Sequence, residues 1–307
     1  MAKGCARGEH LPGTPRHPAN VQVVDDLDLA YEEAGPPAPP GTVVLLHAGV
    51  ADMRMWEHQF AALSERYRVI RYDWRGHGRS GDAGGEVCHH EDLLALMDAL
   101  GVDRAALVGC SMGGAYAVEA ALAAPDRVAA LALICSGLSG HQWPREMLEQ
   151  AAERVHSSVP PDRLARYRAG TADHVDPADV RAMAEAHTLW QVAGPERSRD
   201  ALPEPVWDAA VEMCRLVFER AWTGPRSAER RLVPPAATRL PEVSAPTLVI
   251  NGLSDVPGIQ EVSALLSEGI PGARRLDLPE TGHLPPLERP RQVTDALTTF
   301  LRDVFAT

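Results

Sequence analysis

The run Arg104-Ala105-Ala106-Leu107-Val108-Gly109-Cys110-Ser111-Met112-Gly113-Gly114 decides how this chain is read. Its first five residues form a short, apolar, strand-like stretch. The residues from Gly114 to Ala124 are rich in alanine and have helical character. Ser111 therefore stands where a buried strand turns sharply into a helix. Small residues two before and two after it let the backbone turn without clashing with its neighbours. The hydroxyl is pushed out above a helix N-terminus, whose partial positive charge favours a developing anion. This geometry suits a nucleophile. A bare Gly-x-Ser-x-Gly also occurs in ordinary glycine-rich turns, so the flanking strand and helix carry the reading.

Moving outward, Val21 to Glu33 reads as two short strands around Asp25-Asp26. Thr42 to Leu46 is a continuous apolar strand that runs into His47-Ala48-Gly49-Val50. Met53 to Glu65 has helical spacing, Tyr67 to Tyr72 is a buried strand, His90 to Leu100 is a helix and Val128 to Ile134 is a further strand. Strand and helix alternate and the strands are apolar throughout, so the fold class is α/β, with a parallel sheet covered on both faces. From Leu138 to Val243 no strand pattern is evident. Helices are expected there at Trp143 to Val155, Asp176 to Trp190 and Pro205 to Trp222. The alternation resumes with strands at Pro246 to Asn251 and Ala273 to Leu278, then a closing helix with an apolar stripe from Val293 to Val304. The expected organisation is a disordered leader over 1–20, a core over 21–137 and 244–307, and a helical cap over 138–243. Ligands of open parallel sheets bind beyond the C-terminal strand ends, the edge from which this insert leaves, so the insert should roof the site.

A serine hydroxyl needs a base, and histidine serves near neutral pH. In this layout the order is nucleophile, acid, histidine. Asp255 follows the strand that ends at Asn251-Gly252, and His283 follows the last strand in Pro279-Glu280-Thr281-Gly282-His283. His283 is the only histidine after Asp255. The other place for the acid, after the preceding sheet strand, reads Ser136-Gly137-Leu138-Ser139-Gly140 and holds no carboxylate. Turn capping by Asp255 and a surface loop role for His283 are the ordinary alternatives. An oxyanion hole needs two backbone N–H groups. Met112 supplies one, and the loop after Leu46 supplies the other, from Gly49 in the first instance or Val50 in the second.

With His47-Ala48-Gly49, Asp73-Trp74-Arg75-Gly76-His77-Gly78-Arg79-Ser80, Gly109-Cys110-Ser111-Met112-Gly113-Gly114, Gly252-Leu253-Ser254-Asp255 and Gly282-His283 in place, the chain resembles the α/β-hydrolase superfamily over about residues 21 to 307. The resemblance implies a mostly parallel sheet of the eight-stranded type and a helical cap. It also implies a Ser–His–Asp hydrolase in the branch of esterases, enol-lactonases and carbon–carbon hydrolases, with no cofactor. Ala48 stands where the family more often has glycine. The serine separates the chain from epoxide hydrolases and haloalkane dehalogenases, which carry an aspartate there.

The net charge of −12 argues against a nucleic-acid surface or an anionic membrane as partner. No run of 18 apolar residues exists, so no membrane span is expected. Residues 1–20 lack the apolar region of a secretion signal. Lys3 is the only lysine, which leaves Ser–Lys and Schiff-base mechanisms without a candidate. Five scattered cysteines without CxxC spacing read as reduced thiols, hence a cytoplasmic setting and no zinc site. Gly76-His77-Gly78-Arg79-Ser80-Gly81 fits the dinucleotide-binding GxGxxG but is followed by more turn, so it reads as a structural loop. His89-His90-Glu91-Asp92 reads as a polar helix start, since adjacent histidines diverge on a helix. Trp143, Trp190, Trp207 and Phe218 in the insert, with Val50, are candidates to line a pocket. The expected partner is a small-molecule substrate, and a homodimer is left open. Three rival functions share these motifs: a carbon–carbon hydrolase or lyase on the same triad, a non-catalytic binding protein of this fold, and a nucleotide-dependent oxidoreductase using the Gly76 loop.

Overall fold

Valine, leucine, isoleucine and alanine dominate the strands, and these residues are buried on both faces of the sheet. A parallel sheet sandwiched between helix layers requires this composition. The computed structural model describes residues 17–24 and 27–306. The strands are β1 (His17–Val24), β2 (Leu27–Ala34), β3 (Thr42–Leu46), β4 (Arg68–Tyr72), β5 (Gly85–Val87), β6 (Ala105–Cys110), β7 (Val128–Ile134), β8 (Ser227–Glu229), β9 (Thr247–Gly252) and β10 (Arg274–Leu278). Eight of them form one sheet in the order β1-β2-β4-β3-β6-β7-β9-β10. The β1–β2 and β2–β4 pairs are antiparallel and all other pairs in this sheet are parallel. One apolar cluster under the sheet joins Val43, Leu45, Val108, Ile134 and Ile250 to the closing helix Pro290–Phe305 through Leu297 and Leu301. The other face packs Leu46, Leu107, Leu131 and Val249 against Leu93, Leu96, Ala117 and Leu266.

The register brings the C-terminal ends of five strands to one edge. Leu46 pairs with Gly109, Cys110 with Ile134, Ile134 with Ile250, and Gly252 with Leu278. Each of the loops singled out from sequence leaves from that edge. Between β7 and β9 the chain is mainly helical, with helices at Arg145–Arg154, Pro161–Ala169, Pro177–His187 and Glu204–Thr223.

Three features differ from the sequence reading. Residues 17–20, expected in a leader, belong to β1, while residues 1–16 and the Asp25-Asp26 turn lie outside the described residues. The insert contains a strand: β8 pairs in parallel with β5, three residues against three. A three-residue edge pair has too few alternating positions to leave a periodic signal. The helix expected to run to Trp190 ends as an α-helix at His187 and widens into a π-turn over Thr188–Ala193. The polar start of the helix His89–Ala99 is partly buried: Asp92 is held in a two-bond pair with Arg75, at 2.6 and 2.8 Å, and buried His90 meets Glu119 at 3.1 Å. Cys88, Cys110, Cys135 and Cys214 are buried free thiols.

Candidate active site

Ser111 sits at the top of β6 with φ 54° and ψ −121°, a conformation that non-glycine residues rarely adopt. Backbone bonds on both sides hold it there. Its N–H donates to Ile134 O at 3.0 Å, and its carbonyl accepts from Gly137 N–H at 2.7 Å and Gly114 N–H at 3.0 Å. The glycines of the motif have specific steric causes. A Cβ on Gly109 would strike the Gly113 carbonyl, and one on Gly113 would strike the carbonyls of Leu46 and His47. The strand-to-helix turn can close only with bare backbone at those two places.

The three side chains picked out from sequence meet. Ser111 Oγ lies 2.8 Å from His283 Nε2, and His283 Nδ1 lies 2.6 Å from Asp255 Oδ2. The second Asp255 oxygen accepts the Val256 N–H at 2.7 Å. Asp255 and His283 are buried and Ser111 is 7% exposed. A carboxylate has only acceptors, so Nδ1 of His283 carries the proton and Nε2 is free to accept from Ser111. Beneath them, Cys110 and Cys135 point their thiols at the carbonyls of His283 and Gly282. Burial raises both thiol pKa values far above the ordinary range, which keeps them neutral, consistent with a packing role.

Met112 is the first residue of the helix Met112–Ala123, so its N–H has no acceptor within that helix. Gly49 packs directly on the Met112 side chain: a Cβ there would stand 3.1 Å from Met112 Cγ. Two histidines brace the Gly49 loop. His47 Nδ1–H donates to Ala48 O at 2.8 Å, and its Nε2 accepts the Trp74 N–H at 3.2 Å. His77 Nε2–H donates to Gly49 O at 3.2 Å. Burial, reinforced by His77, lowers the pKa of His47 to about 3, so the brace works through neutral rings. The GxGxxG stretch belongs to this brace. Asp73 accepts N–H groups from Met53 and Arg79, each at 2.8 Å, and Gly78 has φ +46° with its Cα packed on the Asp73 carboxylate. The helix that a dinucleotide site needs directly after such a loop begins only at His89.

The insert closes over the site through backbone contacts. His283 N–H donates to Val192 O at 3.2 Å, Gly282 packs under the carbonyls of Val192 and Ala193, and Gly194 packs against the Ser254 carbonyl. Glu288 Oε2 accepts Gly282 N–H at 2.8 Å while Oε1 pairs with Arg197 at 2.7 Å, tying the insert to the histidine loop. The π-turn places Gln191 Nε2 3.3 Å from His283 Nε2, and Gln191 Oε1 2.6 Å from His187 Nε2.

Of the pocket candidates, Trp190 and Phe218 flank His187 edge-on, with ring centroids 6.1 and 5.7 Å away. They therefore pack on His187, which two hydrogen bonds through Gln191 connect to His283. Trp207 is buried under the Arg199 guanidinium, and half-buried Trp143 packs edge-on with His141 and lies beside Gly258. Val50 is half-buried against the main apolar cluster. The ring contacts of Trp207 and Trp143 are thus with Arg199 and His141. His47, His77, His187, Gln191 and Glu288 were not singled out from sequence. The i, i+4 spacing of His187 and Gln191 is the one signal that could have marked that pair.

This sheet, its elbow and the hydroxyl, imidazole and carboxylate gathered at one strand edge define a class of enzyme, the α/β hydrolases. The chain belongs to the alpha/beta hydrolase fold family, whose model matches residues 41–290, and it is a hydrolase of that fold. A protein of Azorhizobium caulinodans named "Putative carbamate hydrolase RutD" is 31% identical over 261 residues, 81% of this chain and 85% of that protein. Among solved structures, an esterase from Thermogutta terrifontis is 26% identical with a TM-score of 0.71, over 95% of this chain and 100% of that one. An enol-lactonase from Burkholderia xenovorans is 26% identical with a TM-score of 0.67, over 92% and 99%. No helix among the described residues is long and apolar enough to cross a membrane.

Proposed function

We propose that this protein is a serine hydrolase that cleaves an ester or lactone of a small, largely apolar molecule through an acyl-enzyme. Ser111 Oγ attacks the carbonyl carbon while His283 Nε2 takes the hydroxyl proton. The carbonyl oxygen becomes an oxyanion held by the N–H groups of Met112 and Gly49. The C–O bond to the leaving group breaks as His283 returns the proton to that oxygen. Water, deprotonated by His283, then releases the acyl group as a carboxylic acid and restores Ser111. Asp255 keeps the imidazole in the required tautomer and offsets its positive charge during each transfer. The segment 138–243 acts as the cap, with Trp190 and Phe218 on its inner side.

The observation that carries this reading is the unbroken chain Ser111 Oγ–His283–Asp255 at 2.8 and 2.6 Å on a strained elbow. The similarity to an esterase and an enol-lactonase supports the ester and lactone class. The test is a panel of esters, lactones and diketones against the purified protein, with fluorophosphonate labelling of Ser111. Ser111→Ala is expected to cut turnover by a factor on the order of 10⁴ to 10⁶. A folded Ser111→Ala protein with near-native activity would end this reading. Preference for diketones over esters would move it to carbon–carbon hydrolysis.

A further inference from the structure

The polarity of the contact between the insert and His283 is fixed from the far end. Asp255 accepts from Nδ1, so Nε2 of the neutral imidazole can only accept. Ser111 Oγ is one donor to it. Among the described residues, the other hydrogen-bond contact of Nε2 is with the side-chain amide of Gln191, at 3.3 Å. With an acceptor facing it, that amide must present its NH₂, and its carbonyl oxygen then accepts from His187 Nε2–H at 2.6 Å. Burial, partly offset by that hydrogen bond, lowers the pKa of His187 to about 4, so His187 is a neutral donor at working pH. Proton order thus runs in one direction from His187 through Gln191 to His283.

The backbone that carries Gln191 is held on both sides. Val192 O receives His283 N–H, and Gly194 and Gly282 admit the close approach of Ser254, Val192 and Ala193. The π-turn over Thr188–Ala193 turns this residue toward the imidazole, and π-turns recur at functional positions.

The lone pair of Nε2 has two duties in the proposed cycle. It serves Ser111 on one side and the departing oxygen on the other. The Gln191 amide lies 3.3 Å from that same nitrogen. We propose that Gln191 is a catalytic residue for the leaving group: its N–H donates to the oxygen of the breaking C–O bond, beside the proton delivered by His283. This rests on the Ser111–His283–Asp255 reading above. A substrate oxygen bonded to both nitrogens needs them further apart than 3.3 Å, by about 1.5 Å, a shift within reach of a glutamine side chain. The balance is simple. The C–O bond breaks, its electron pair stays on the oxygen, the proton comes from His283 Nε2, and Gln191 contributes a hydrogen bond without losing its own proton. The site is therefore built for leaving groups that depart as alkoxide-like oxygens, as those of alkyl esters and lactones do.

The test uses one acyl group on two leaving groups, 4-nitrophenyl butyrate and ethyl butyrate, with wild type, Gln191→Ala, Gln191→Met and Ser111→Ala. A 4-nitrophenolate leaves without help, whereas an ethoxide needs donors. Loss of a hydrogen bond to a charged oxygen predicts a fall in kcat/KM of about 10- to 100-fold for the ethyl ester and less than about threefold for the nitrophenyl ester. Gln191→Met keeps the length of the side chain but has no N–H to donate, so it should show the same selective loss. Equal losses for both esters in both variants would overturn the assignment, because a packing defect does not sense the leaving group. Fluorophosphonate labelling of Ser111 in each variant reports whether the elbow is intact. Activity retained by Ser111→Ala would overturn the triad reading and this one together. An inactive Ser111→Ala with uniform losses at Gln191 would overturn this one alone.

Discussion

Asp255→Asn tests the site with almost no change in volume. Asp255 has two buried duties, accepting Val256 N–H through Oδ1 at 2.7 Å and His283 Nδ1–H through Oδ2 at 2.6 Å. An asparagine can perform only one of them. If its oxygen stays on Val256, its NH₂ faces His283 Nδ1, and the imidazole proton must move to Nε2. Ser111 then faces a donor and has no base. If the amide flips, its NH₂ faces the Val256 N–H in a buried position, which costs about 1–3 kcal/mol for the unsatisfied donors. In the flipped form the carboxylate charge that offsets the imidazolium is also gone. Both arrangements raise the barrier, and the equivalent change in a related triad lowers turnover by about 10⁴, or ~5.5 kcal/mol. Packing is unaltered, so thermal stability should drop by no more than the flip cost. The assay is kcat on a 4-nitrophenyl ester alongside thermal unfolding of the same sample. A fall in kcat below about tenfold with unchanged stability would falsify the claim that Asp255 sets the tautomer.

Gly113→Ala should destabilise the fold even though alanine is the better helix former by about 1 kcal/mol, because its Cβ meets the carbonyls of Leu46, the last residue of β3, and of His47 after it, and overpacking costs typically ~1–3 kcal/mol; a rise in Tm would refute the steric account. His77→Ala removes the donor on Gly49 O and frees the loop beside Met112, so kcat should fall about tenfold with KM nearly unchanged; a change confined to KM would place His77 in substrate binding instead. His47 and His89, lowered to about 3, and His187, lowered to about 4, are held neutral chiefly by burial. Each contributes stability that is fully present above its unfolded value near 6.5 and is lost as pH falls toward the folded value, at roughly 1.4 kcal/mol per pH unit per group. Asp73, raised to about 6 by burial, acts in the opposite sense between its unfolded value and 6, so these four groups together should take up about two protons on unfolding near pH 5. Denaturant melts at pH 7, 6 and 5 measure this, and a flat profile would show that these rings are already charged in the native state.

The parts of this site that were legible in sequence are those fixed by one local steric or chemical demand. Gly109 and Gly113 had to be glycine because backbone carbonyls occupy the space of their Cβ atoms, and such a demand leaves a mark wherever the motif occurs. Asp255 and His283 were found by strand order, because a parallel sheet brings successive strand ends to one edge whatever lies between them. Gln191 had no comparable mark. It reaches His283 only because the insert docks on the acid and histidine loops through main-chain carbonyls, and main-chain contacts impose no residue type on the segment that provides them. The helix pattern also stopped one residue short of Gln191, where the α-turn widens into a π-turn. His77 was hidden for a related reason: within a glycine-rich stretch it reads as loop filler, and its partner is a carbonyl 28 residues away. The same physics sorts the pocket candidates. Trp190 and Phe218 converge on His187 because the π-turn and the long helix Glu204–Thr223 meet there, while Trp207, on that same helix, is carried away under Arg199. Aromatic content in the insert was visible in the sequence; which rings meet His187 depended on helix phase, and phase is set by how the insert seats on the strand edge. Specificity should therefore change with substitutions that alter that seating, such as at Arg197 or Glu288, even where the substituted side chain never meets the substrate.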